Sequence, residues 1–186
     1  GVIYGIRSAT AQKIVEKFGT ESLNILLTDP IRLSEIKGIS KSRAEKIGQS
    51  YLQIQSMQSI LMFLRQYNIS NNLAIKVHQT LGSDAVRLIK ENPYILADRI
   101  DGISFRTADN IAHLRGFPKN SPMRIKSCII YMLNNFAYNG GHTYYPRQEL
   151  IKNVTVQLAV TTDEAENGIK SLELSHDLYS DTINGI

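Results

Sequence analysis

Apolar positions along the chain fall into a gapped pattern that occurs four times. Ile6, Ala11 and Ile14; Ile39, Ala44 and Ile47; Ile69, Ala74 and Val77; and Ile103, Ala108 and Ile111 are each spaced five residues and then three. A bulky isoleucine inside a stretch of turn residues needs a hydrophobic partner, because turns favour Gly, Asn, Asp and Ser. The later pair, three residues apart on one helical face, supplies it. Each unit therefore predicts a tight turn running straight into a helix. The sharpest copy is Ile36-Lys37-Gly38-Ile39-Ser40-Lys41-Ser42-Arg43-Ala44-Glu45-Lys46-Ile47, in which a glycine turn opens a short basic helix.

The segments between turns repeat as well. Gly19-Thr20-Glu21 through Asp29-Pro30 aligns without gaps to Gly82-Ser83-Asp84 through Asn92-Pro93. Each opens with a helix-start signal and closes on an Asx-Pro stop. Leu33 and Ile36 then match Leu96 and Ile100. The pattern predicts a pair of helix-hairpin-helix units, duplicated, with Ser50 to Tyr67 as a connecting helix striped by Ile54, Met57, Ile60, Leu61 and Leu64. A period near 33 residues also suits helical solenoids, but the tetratricopeptide and ankyrin signatures are missing.

At Asn120-Ser121-Pro122 the pattern changes. Ile125, Ile129, Met132, Leu133 and Phe136 mark a helix ending near Asn139-Gly140-Gly141. His142 to Tyr145 is a short strand candidate, and Pro146 is placed to begin a helix carrying Leu150, Ile151, Val154 and Leu158. Thr161 with Glu164 forms a capping-box pattern for a last helix through Ile169 and Leu172, and Leu178-Tyr179 can return as a strand. The expected architecture is mainly α: hairpin pairs over residues 1–52 and 53–120, then a helix-turn-helix or winged-helix-like domain over 121–186 with a short β element.

Composition narrows the function. The 186 residues are 42% hydrophobic and 20% charged, the balance of a soluble globular protein. No apolar run is long enough for a bilayer, no signal peptide is visible, and one cysteine, Cys128, in an apolar stripe reads as a buried thiol in a reducing compartment. These features point to a cytoplasmic location with no membrane partner. The net charge of +4 is uneven: residues 1–122 hold 16 Lys and Arg against 10 Asp and Glu, residues 123–186 hold 5 against 7. A basic partner surface belongs in the first two thirds. Beginning at Gly1 without Met, inside what reads as the first repeat, the chain is expected to be a piece of a longer protein.

Hairpin turns followed by helix N-termini suit phosphate, because exposed backbone N–H groups and the helix dipole meet there. Two hairpins related by an approximate two-fold axis could each hold one strand of a duplex, without reading sequence. Gly38, Ile39 and Ser40 with Lys41, Arg43 and Lys46 are the first candidates. Gly102, Ile103 and Ser104 with Arg106 follow, then Gly5, Ile6 and Arg7. Asn68-Ile69-Ser70, without glycine, is expected to be structural. Tyr144 and Tyr145 could stack on an unpaired base, with at least one of them in the core. His78, His113, His142 and His176 are scattered without ligand-spaced partners, so no metal site is expected. No catalytic pairing is visible either.

With these features, the chain resembles the region preceding the motor in the long RecD-like helicases of superfamily 1. These are the RecD/TraA type found in bacteria without RecB and RecC, also described as exodeoxyribonuclease V alpha-like. The resemblance rests on Phe18-Gly19, Ile36 to Ser40, Glu91-Asn92-Pro93-Tyr94, Leu96-Ala97-Asp98, Gly102 to Asp109 and His142 to Leu150, and it covers essentially the whole chain. It implies a parent that hydrolyses ATP with Mg and unwinds DNA 5′ to 3′ in repair or recombination. The partners implied are single-stranded or forked DNA and the motor domains of the same chain. The sequence has no G-x-x-x-x-G-K-[ST] loop, so neither ATP binding nor any other catalytic role is expected of this region, and it needs no cofactor of its own. DNA-binding hairpins commonly read Gly-apolar-Gly, whereas the second glycine here is Ser40, Ser104 or Arg7. Two functions follow: a DNA-binding accessory region of a helicase, or an interdomain or protein-interaction scaffold whose hairpins no longer bind DNA.

Overall fold

The computed structural model describes residues 3, 5–140 and 144–182. Its regular structure is helical, with ten α-helices among the described residues: α1 Ser8–Phe18, α2 Ser22–Thr28, α3 Lys41–Arg65, α4 Asn71–Leu81, α5 Ala85–Glu91, α6 Ile95–Arg99, α7 Phe105–Leu114, α8 Pro122–Gly140, α9 Arg147–Leu158 and α10 Thr162–Leu174. The chain divides into two compact units, 1–86 and 87–186. That cut falls inside the segment 53–120.

The duplication is visible turn for turn. α1 and α4, eleven residues each, run into three-residue 3-10 turns, Gly19–Glu21 and Gly82–Asp84, and then into seven-residue helices α2 and α5. The Pro30 copy continues as a 3-10 helix, Pro30–Glu35, and the Pro93 copy as the short α6. A proline cannot carry on the preceding helix but starts a new one well. Both copies use it as a corner.

In the first unit the core consists of Ile14, Ile25, Leu26, Leu33, Ile36, Ile39, Ala44, Ile47 and Tyr51. The hairpin isoleucine and its two partners thus lie in one cluster, as the five-then-three spacing demands. α3 is longer than expected. The short basic helix after Ser40 and the connecting helix from Ser50 are one 25-residue element, because nothing between Ile47 and Tyr51 breaks it. Its one interior glycine, Gly48, is a packing contact: a Cβ there would stand 2.4 Å from Pro30 Cβ. Ser56 on α3 lies 2.9 Å from Nε2 of His78 on α4, and its hydroxyl donates to the Gln53 carbonyl.

In the second unit one core runs from Tyr94, Phe105, Ala108 and Ala112 through Ile125, Cys128 and Ile129 to Leu150, Ile151, Val154, Leu158, Val160, Ala165, Ile169 and Leu172. The fourth hairpin and the three C-terminal helices share it. Pro146 precedes α9, Ala159 ends it in the left-handed conformation, and the Thr161–Glu164 capping box starts α10. The expected β element differs. His142 and Thr143 lie outside the described residues, while Tyr144, Tyr145, Leu178 and Tyr179 form no strand. Extended chain becomes a strand only with a ladder partner, and the described residues provide none; the Leu178 N–H donates to the Leu172 carbonyl instead.

Candidate nucleic-acid interface

Four turns share one backbone signature. Gly5, Gly38 and Gly102 have φ of 76°, 96° and 96°, and Asn68 takes the same place in the third hairpin at φ 58°. A residue at the third position of a type II turn needs positive φ, which glycine adopts freely and asparagine tolerates. The next residue, Ile39, Ile69 or Ile103, is buried, and Ile6 is half-buried. The N–H of Ile6, Ile39 and Ile103 closes the turn on the carbonyl three residues back at 3.1–3.2 Å; that of Ile69 reaches the Leu64 carbonyl instead. The residue after it is extended and becomes the N-cap: Arg7, Ser40, Ser70 and Ser104. Asn68 thus takes the glycine's positive φ while the turn closes further back, on the end of α3.

The serines at the second-glycine position have a defined job. Ser40, Ser70 and Ser104 each accept, through Oγ, the N–H three residues on at 3.3–3.4 Å. That bond satisfies one of the donors a helix leaves open at its start. The N–H groups of the first two helical residues stay available, so an anion there meets fewer amides than at a Gly-apolar-Gly turn.

Charge separates the hairpins. A carboxylate in a first helical turn is worth about 0.3–1 kcal/mol against the macrodipole, and α9 and α10 carry Glu149, Asp163 and Glu164 there. None of α1, α3, α4 and α7 has an acid in its first turn. Arg7, Lys41, Arg43 and Arg106 stand at the starts of α1, α3 and α7, all four exposed, while α4 opens on Asn71 and Asn72 with no cation in its first turn. The second hairpin is the richest: Lys37, Lys41 and Lys46 are exposed around Gly38. Lys37, beside the turn glycine, was not among the sequence candidates; comparing the two copies residue by residue would have found it.

That comparison sets the second hairpin apart from the fourth. In register, Lys37, Lys41, Arg43 and Lys46 become Asp101, Phe105, Thr107 and Asn110. Phe105 is buried to 4% exposure, its ring 5.9 Å from that of Tyr94 and 5.7 Å from that of Tyr131. Thr107 Oγ1 stays within its own hairpin, 3.1 Å from Ser104 Oγ. Gly102, Ser104 and Arg106 remain exposed at this turn, but the helix start beside them serves as a packing surface for the C-terminal helices.

A half-buried ionic cluster holds that packing. Asp109 on α7 accepts from Arg124 Nε at 2.7 Å, Arg124 Nη2 at 3.0 Å and the Tyr94 hydroxyl at 2.8 Å. Arg124 Nη1 also donates to the Lys119 and Leu158 carbonyls at 2.7 and 3.0 Å, and Ser127 on α8 donates to Asp98 at 2.7 Å. Burial alone would raise the Asp109 carboxyl, but the hydrogen bonds from Arg124 and Tyr94 and the Arg124 charge outweigh it and hold the group below its ordinary value. Burial, with the bond to Asp109, pushes the Tyr94 hydroxyl far up. The cluster lines a cleft of about 90 Å³ with His113, Phe117, Pro118 and Lys119.

Arg43, placed by sequence among the phosphate contacts, spends two of its donors inside the protein, on the Gly38 and Gly5 carbonyls. The Tyr145 ring packs tilted against that of Phe136 with centroids 4.2 Å apart, and its hydroxyl accepts from Asn153, so it is the core member of its pair, while Tyr144 is exposed. Among the described residues no group of His, Cys, Asp and Glu could hold a metal. No helix among them is long and apolar enough to cross a membrane.

Repeated turns of this geometry define a tandem helix-hairpin-helix protein, with a helix-turn-helix element sharing the core of the last hairpin. Residues 53–144 match the family model described as the ATP-dependent RecD2 DNA helicase HHH domain. The chain is also 26% identical over 167 residues, 90% of its length, to the ATP-dependent RecD2 DNA helicase of Deinococcus radiodurans. Residues 53–144 thus match the helix-hairpin-helix domain of the RecD-like helicases, and the chain as a whole is similar to the region bearing it. It spans 23% of that relative's length.

Proposed function

We propose that this region is a non-catalytic DNA-binding accessory element of a RecD-like 5′ to 3′ helicase acting in repair or recombination, and that the second hairpin is its main contact with the phosphate backbone. The observation that carries the reading is the second hairpin's charge: Lys37, Lys41 and Lys46 cluster at a helix start with no acid in its first turn. Cations there oppose the helix dipole, and a phosphate restores the balance. Contacts to N–H groups and lysines carry no base information, so binding is insensitive to sequence. The first hairpin, with Arg7, adds a neighbouring contact. ATP and Mg belong to motor domains elsewhere in the parent chain.

The scaffold reading applies to the second copy. Phe105 and Asp109, in the helix of the fourth hairpin, are committed to the C-terminal helices, so that hairpin carries a docked domain and the second hairpin carries DNA.

Fluorescence anisotropy of the 186-residue chain on single-stranded and forked DNA, over a salt series, tests this division. A Lys41→Ala/Lys46→Ala variant should lose affinity and flatten the log–log salt slope by about 1.4 on single strands and 1.8 on duplex, two contacts' worth. Arg106→Ala should change both little. Equal losses from the two variants would refute the division of labour, and no binding by wild type at low salt would refute the DNA reading.

A further inference from the structure

Among the four hairpins only the second has an arginine four residues after its buried isoleucine; Thr10, Leu73 and Thr107 stand at the equivalent positions. The Arg43 side chain reaches across 38 residues of sequence: Nη2 donates to the Gly5 carbonyl at 2.9 Å while Nη1 donates to the Gly38 carbonyl at 3.3 Å. Both acceptors belong to the positive-φ residues of their turns. One planar, permanently charged group therefore joins the corresponding atoms of two consecutive hairpins. The fit is tight below it as well, since a Cβ on Gly5 would lie 3.2 Å from Ile47 Cγ1.

We infer that Arg43 is a positioning residue, whose guanidinium fixes the spacing between the first and second hairpin turns so that their helix starts meet successive phosphates as one unit. This rests on the proposed DNA reading. The guanidinium reaches the two carbonyls from two separate nitrogens held in one plane, whereas all of lysine's donors sit on a single nitrogen, a compact point charge without that spacing. The role differs from that of a phosphate ligand in a measurable way. A ligand's loss removes an ion-release contribution of about 0.7–0.9 from the salt slope. A positioning residue's loss makes the bound arrangement harder to reach, while the phosphates neutralised at the end remain the same.

Arg43→Lys and Arg43→Ala in the 186-residue chain test this in two arms. Without DNA, hydrogen exchange reads the amides of Ile6, Thr10 and Ala11, which bond to the Ile3 and Arg7 carbonyls in the first hairpin. Both variants should exchange faster there, with α8 to α10 unchanged. With DNA, both should bind about tenfold more weakly, the order expected for one charge-assisted hydrogen bond, with a salt slope within about 0.3 of wild type. Unchanged exchange in Arg43→Lys, wild-type affinity in that variant, or a slope reduced by a full contact would each overturn the inference. If wild type binds no DNA at low salt, the DNA reading fails by itself, and the exchange arm alone decides whether Arg43 holds the two turns together.

Discussion

Removing Arg124 should loosen the second unit and leave the first intact. The guanidinium is 15% exposed and its partner Asp109 25%, so the pair lies between a surface bridge, worth under about 1 kcal/mol, and a fully buried one, whose disruption costs about 3–5 kcal/mol. Arg124→Met keeps much of the apolar stem but strands Asp109 with Tyr94 alone and leaves the Lys119 and Leu158 carbonyls without this donor. A cost of about 3 kcal/mol follows, at the low end of the buried range. Hydrogen exchange by mass spectrometry reads it locally: protection of α8 and α9 amides should fall roughly 150-fold, at 1.36 kcal/mol per decade, with peptides from α1 to α3 unchanged as an internal control. The pH dependence has a definite sign. Asp109 is held below its ordinary pKa in the folded state, so the pair's stabilisation is fully present above the unfolded value of about 3.9 and is lost as pH falls through the lowered one. The difference between wild type and variant should therefore close on acidification. A loss of less than threefold at neutral pH, or a gap that widens in acid, would refute the assignment.

Two further outcomes follow from packing. Gly48→Ala should destabilise the first unit by about 2 kcal/mol, because overpacking against Pro30 at 2.4 Å outweighs alanine's helix preference; urea unfolding within 0.5 kcal/mol of wild type would count against it. Cys128 is fully buried, and burial first of all pushes its thiol up to about 12. Maleimide at pH 8 should leave it unmodified in the native chain and label it rapidly in guanidinium, so labelling of the folded protein at the free-thiol rate would contradict the burial.

The hairpins were legible in the sequence because their cause is local. Ile39, Ala44 and Ile47 must meet, and a turn leading into a helix is the short path that lets them. The Thr161–Glu164 box and the Pro30 and Pro93 corners were readable for the same reason. Arg43 was not, since its acceptors are backbone carbonyls, one of them 38 residues away, and a carbonyl leaves no mark in the residue code. The Tyr94, Asp109 and Arg124 cluster likewise joins residues whose side-chain types allow many partners. The merger of two expected helices into α3 was missed because Gly48 and Ser50 resemble a break; the proximity of Pro30 explains the glycine instead. Phe105 carried a readable signal, an aromatic where the other copy has a lysine, which emerges only when the duplicates are compared position by position.

The unbroken course of α3 has a mechanical consequence. A 25-residue helix is about 37 Å long, with the second turn at its start and the third just beyond its end. No flexible joint separates them, so a tilt of about 5° imposed at Ser40 would carry the far end through roughly 3 Å on that rise per residue. Load taken at one tip would arrive at the other as displacement, which makes this helix a rigid lever within its unit.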